Sequence, residues 1–78
     1  MNYAVKIKIS EEKTLKFYFK TLISALNFVR REIRAQTYPE DSTFYIISLI
    51  RKGMTARENK ILFIYKNNEI SFNKGGEL

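Results

Sequence analysis

The stretch TFYIISLI, residues 43–50, is apolar on both of its faces. Its β-branched and aromatic residues favour an extended chain, and a strand without a wet side belongs in the interior of a sheet. The remainder of the chain must therefore supply neighbours for both of its edges and cover for both of its faces.

The N-terminal residues offer the first neighbours. Tyr3, Val5, Ile7 and Ile9 alternate with Ala4, Lys6, Lys8 and Ser10, the period of a strand with one wet face. After the polar turn Ser10 to Lys13, Leu15, Phe17 and Phe19 resume that alternation against Lys16, Tyr18 and Lys20. The two segments predict a β-hairpin with an apolar side and a lysine side.

Leu22, Leu26, Val29 and Ile33 then recur at helical spacing, with Thr21 or Ser24 available as a cap, so a helix is expected from about Leu22 to Gln36. Pro39 stops it, and TYPEDS connects it to the interior strand. RKGMTARENK, residues 51–60, is polar with one glycine and reads as a long loop. ILFIYK returns as a strand, Asn67-Asn68 suits a tight turn, and EISF can add a short fifth strand. NKGGEL reads as a flexible C-terminal tail over residues 73–78, leaving residues 1–72 as one domain.

The expected fold is α+β, a small two-layer sandwich with an antiparallel sheet in β-β-α-β-β order and one amphipathic helix on one face. A single helix covers a single face. Either Phe44 and Ile46, or Tyr45 and Ile47, together with Leu62 and Ile64 or their alternates, are then left on the other face. Such a patch suits a homodimer or a target protein unless the 51–60 segment or the C-terminal tail covers it.

Composition narrows the chemistry. The 78 residues contain neither cysteine nor histidine, which removes disulfides, thiolate or imidazole metal sites, and the nucleophile pairs that depend on either residue. No catalytic, cofactor-binding or metal-binding motif is present; KGMT in the 51–60 segment lacks the glycine spacing of a phosphate-binding loop. The expectation is a non-enzyme with no cofactor and no small-molecule substrate. No apolar run is long enough to cross a bilayer, so the chain is expected in the cytoplasm of its source cell or of an infected host.

The 14 basic and 8 acidic side chains leave a net charge of +6, which attracts nucleic acid or an acidic protein surface. Three surfaces compete for that role. On the helix, Asn27, Arg30, Arg31 and Arg34 share an arc of about 100°, with no acid three or four residues away from any arginine, and Phe28 lies at the edge of that arc. These five positions are the expected partner-binding site. Lys6, Lys8, Lys16 and Lys20 surround Tyr18 on the wet face of the hairpin, which could stack a base and hold backbone phosphates, and Arg51, Lys52 and Arg57 add charge from the 51–60 segment.

Two functions fit. The first is a small basic protein acting by protein-protein contact, such as an inhibitor of a host nucleic-acid-processing enzyme; small phage-encoded proteins share this profile of size and charge. The second is direct DNA or RNA binding through the helix arginines and the lysine face. The apolar strands that need cover favour the first.

Overall fold

The structure, a computed structural model, describes residues 2–67 and 69–72. The expected interior strand is β3 (Thr43–Lys52), and it lies at the centre of a five-stranded sheet. β1 (Tyr3–Lys8) flanks it on one side with β2 (Thr14–Phe19) beyond, and β4 (Thr55–Lys66) flanks it on the other with β5 (Glu69–Phe72) beyond. Every pairing is antiparallel. The α+β architecture is therefore the one the hydrophobic periods predict. Of the expected tight turn, Asn67 adopts a φ of 53°, while Asn68 and the expected tail at residues 73–78 lie outside the described residues.

Helix α1 (Leu22–Ala35) begins at Thr21, whose Oγ1 accepts a hydrogen bond from the Ser24 amide at 3.1 Å. It ends at Gln36, which takes a left-handed conformation and donates its amide to the carbonyls of Glu32 and Ile33. Val5, Ile7, Phe44 and Ile46 on one face of the sheet form the core with Ala25, Phe28 and Val29 from the helix. The Phe44/Ile46 face of β3 is thus the one beneath the helix.

Two expectations need correction. Phe28 is buried, with 9% of its surface exposed. Its ring lies 5.0 Å from that of Phe17 and 5.1 Å from that of Phe19, both on β2. The helix is rotated from the Leu22/Leu26/Val29/Ile33 stripe so that Ala25, Val29 and Phe28 point inward, leaving Leu26 and Ile33 half-buried. The aromatic pair on β2 sets that rotation, because three clustered rings withdraw more apolar area than the aliphatic stripe alone.

The 51–60 segment is not a loop. β3 and β4 run through it and meet at Gly53 and Met54, where Gly53 has φ of 62° and the Thr55 hydroxyl donates to the Lys52 carbonyl at 3.0 Å. The result is a two-stranded arm that extends past the end of β1. Its polar composition reflects a ribbon that is wet on both sides.

Two irregularities in the β3–β4 register, at Ile46/Ile47 and Ser48/Leu49, bend this arm. The Glu58 carboxylate measures the bend. Glu58 pairs with Leu49, four residues past the Tyr45 that pairs with Lys6. In a flat sheet the Glu58 Cα would stand roughly 16 Å from the Lys6 Cα and roughly 20 Å from the Lys16 Cα on β2, taking ~3.3 Å per residue and ~4.8 Å per strand, and the side chains close part of that gap. Instead its carboxylate accepts hydrogen bonds from both ammonium groups, with Lys6 Nζ at 3.0 Å. The arm therefore curls toward the sheet face opposite the helix.

That curl accompanies cover where an open apolar face was expected. On the side away from the helix, Ala4 is 0% and Ile47 is 1% exposed. Tyr45, Leu49, Ile61, Leu62 and Ile64 are half-buried. The face is only partly closed, for Tyr18, opposite Ala4 on β2, is 50% exposed.

Candidate functional site

The curled arm divides the charged residues by face. Side chains alternate along a strand, so the Phe44/Ile46 face of β3 continues through Ser48 and Ile50 to Lys52. Across the register, Tyr65, Phe63, Lys60, Arg57 and Thr55 of β4 share that face. Lys52, Arg57 and Lys60 thus occupy the helix side of the arm and are exposed. Arg51, paired with Ala56, falls on the opposite face with Glu58.

The helix contributes two further cations to the same side. Arg30 and Arg34, one turn apart, line a shallow groove with Ile33 and Tyr65. Arg31 does not join them: its guanidinium carbon stands 6.0 Å from the centre of the Phe28 ring, on the flank that faces β2. Arg31 lies one turn beyond Phe28, so its guanidinium covers that ring while Arg30 and Arg34 line the groove. Asn27 is exposed on the helix.

Arg34, Arg30, Lys60, Arg57 and Lys52 form a basic strip from the helix to the tip of the arm. Between Phe44, which pairs with Tyr65, and Lys52 the strip follows eight residues of strand, a contour of about 26 Å. Among the described residues none of the five has an ion-pair partner. Three of the acids are engaged elsewhere. Glu58 is held on the far face, Glu11 pairs with Lys8 at 3.6 Å in the first hairpin, and Glu32 sits at the last helical turn, where its carboxylate accepts from the Thr37 hydroxyl at 2.6 Å.

The lysine face of the N-terminal hairpin is arranged differently. Lys6 and Lys16 share Glu58, Lys8 has Glu11, and the Lys16 ammonium also lies 5.6 Å from the centre of the Tyr18 ring. Lys20 is exposed, and its carbonyl accepts from the Asn2 side-chain amide. The hydrogen bond from Lys16 holds the Glu58 carboxyl below the usual glutamate range, against a smaller opposing effect of burial. The same bond raises Lys16 above the usual lysine value. Two carboxylates thus offset two of the four lysine charges on this face.

Beside the strip lies a cleft of about 310 Å³ beneath the C-terminal end of the helix. Ile33 and Tyr65 belong to both this cleft and the arginine groove, so the two are continuous. Tyr38, Phe44 and Tyr65 give it aromatic walls, with the Tyr38 ring 6.0 Å from Phe44 in an edge-on arrangement. Burial raises the Tyr65 phenol above its ordinary value, with Arg30 acting in the opposite sense, and burial likewise raises Tyr38. Both are neutral donors near pH 7. Ser42 also lines the cleft; it is 3% exposed, and its hydroxyl has no hydrogen-bond partner among the described residues.

Sequence reasoning identifies Arg30, Arg34, Lys52 and Arg57 but not their common side, and it misses the cleft altogether. The only sequence signal for the cleft is aromatic residues on both sides of the helix-to-strand connection, Tyr38 and Phe44, with Tyr65 entering from a distant strand. Among the described residues no group of His, Cys, Asp and Glu is placed to hold a metal ion, and no helix is long and apolar enough to cross a membrane. No protein-family model matches the chain, and neither a curated protein nor a solved structure matches it.

Proposed function

We propose that the chain is a nucleic-acid-binding protein that works by contact rather than catalysis, with the basic strip as its binding surface. One observation carries the reading: among the described residues, five cations without ion-pair partners follow one side of the molecule, while Glu58, paired with Lys6 and Lys16, faces the other way. Phosphates spaced along a strand are the natural complement to such a row, and arginine grips them in bidentate fashion.

Fluorescence anisotropy with labelled DNA and RNA oligonucleotides across 50–200 mM salt tests this. Five neutralised phosphates give a slope of log K against log salt of about −3.5 on a single strand, from ~0.7 per phosphate. Charge reversal at Lys52 and Arg57 should reduce the slope by about 1.4. Absence of binding at the lowest salt would overturn the reading.

A second reading, inhibition of a nucleic-acid enzyme by protein-protein contact, draws support from Met54, which is 99% exposed at the tip of the arm. An apolar side chain flanked by cations suits the rim of an acidic channel. Met54→Asp separates the two, since it should abolish insertion into a protein pocket while reducing strand affinity only by the repulsion of one charge.

A further inference from the structure

We propose that the cleft beneath the helix C-terminus receives an unpaired base of a bound strand, so that the preferred ligand is single-stranded nucleic acid. This rests on the reading of the basic strip as a phosphate-binding surface.

The cleft and the strip meet at Ile33 and Tyr65, with Arg30 and Arg34 at the junction. A strand held there by its phosphates has its nearest base within reach of the opening. The volume of about 310 Å³ lies at the small end of the range for ligand sites, roughly 300–1,000 Å³, and suits one ring system rather than a segment of duplex. Tyr38, Phe44 and Tyr65 offer π-faces and edges, the surfaces on which unpaired bases stack.

The charges of the cleft sort the nucleotide by its parts. Glu32 and Glu40 line the cleft, and the helix presents the negative end of its dipole there. A phosphate is repelled from that end and drawn to Arg30 and Arg34, while a base, which is neutral and carries amino donors, is not excluded. Gln36 and Asn67 can pair with a base edge, and Lys66 can donate to its carbonyl groups. Ser42 is the sharpest indication. A buried hydroxyl without a partner is costly, and a base edge supplies one.

A base on aromatic walls contributes about tenfold or more to affinity. At equal salt, the wild-type protein should bind an eight-nucleotide single strand at least tenfold more tightly than a duplex of the same length. Ser42→Ala and Tyr38→Leu should each lower single-strand affinity, Tyr38→Leu by about tenfold, with the salt slope and the duplex affinity unchanged. Ser42→Ala removes an unsatisfied group, so it should not impair folding; circular dichroism checks both variants. In amide NMR spectra, adenosine and uridine 5′-monophosphates should shift Gln36, Ser42, Lys66 and Asn67, and inorganic phosphate at the same concentration should not.

Equal affinity for single strand and duplex, or cleft variants that bind as the wild type does, would overturn the base site and leave the strip intact. Salt-dependent binding without nucleotide-induced shifts at those four amides would do the same. Failure of every oligonucleotide to bind at low salt would overturn the strip reading itself, and with it the single-strand preference.

Discussion

Replacing Phe28 by alanine should cost about 4 kcal/mol of stability. The ring is 91% buried by its 9% exposure. A buried phenylalanine withdraws roughly 150 Å² or more from water, worth about 4 kcal/mol at ~25 cal/mol per Å². Alanine keeps part of that. Its substitution also leaves a cavity and removes two tilted ring contacts, to Phe17 and Phe19, each worth about 0.5–1.5 kcal/mol beyond its area. The balance falls within the ~3–5 kcal/mol range of such truncations. A chain of this length has a total stability of roughly 4–12 kcal/mol, so the variant loses between a third and all of it. Urea unfolding followed by circular dichroism, with a slope of about 1 kcal/mol per molar, should show the midpoint falling by about 3–4 M. Should the alanine variant prove unfolded in water, Phe28→Leu keeps most of the apolar area and should cost about 1–1.5 kcal/mol. An exposed ring beside arginines would give less than ~0.5 kcal/mol in either variant. A measured loss below about 1 kcal/mol for the alanine variant would refute both the inward rotation of the helix and the division of its arginines.

The Glu58 clasp gives a pH-dependent prediction. The carboxyl is held below the usual glutamate range by the Lys16 hydrogen bond, so its contribution is fully present above about pH 4.3 and is lost as pH falls through its lower folded value. Lys16 is raised, so its share is present below about pH 10.4 and is lost as pH rises through the raised value. With these side chains 23% and 33% exposed, Glu58→Gln should cost roughly 1 kcal/mol at pH 7, and urea midpoints of the two proteins should converge in acid; a constant gap down to pH 2 would argue against the clasp. At Gly53 an added Cβ meets nothing within 4 Å, so the cost of Gly53→Ala comes from its positive φ alone, about 1 kcal/mol. Amide exchange across the arm should accelerate about fivefold while the helix is unaffected, and equal protection in both proteins would count against the turn.

The parts legible in the sequence are those where one face is buried and the other wet. Val5 and Ile7, Leu15 to Phe19, and Val29 with Ala25 follow such patterns, and their strands and helix lie where the periods put them. TFYIISLI is legible for the opposite reason, since a segment without a wet face can only be interior. The arm escapes detection because its outer residues have no buried side, and period-2 alternation vanishes when both faces meet water. Phe28 escapes because the choice between two overlapping apolar arcs on the helix is made by Phe17 and Phe19 on another element. The basic strip depends on the same long-range facts: register assigns Lys52 and Arg57 to one face and Arg51 to the other, and no spacing within residues 51–60 distinguishes them.

The arm also bears on how copies of the chain behave toward one another. Past Leu49, whose amide donates to the Asn2 carbonyl at 2.9 Å, β3 has no neighbour on its outer edge among the described residues, and such an edge offers backbone groups to any extended segment. Arg51 and Lys52 guard that edge by mutual repulsion between molecules. Salt screens such repulsion over about 10 Å at 0.1 M and about 3 Å at 1 M. The conditions that would weaken attraction to a polyanion are therefore the ones that remove this protection against edge-to-edge aggregation.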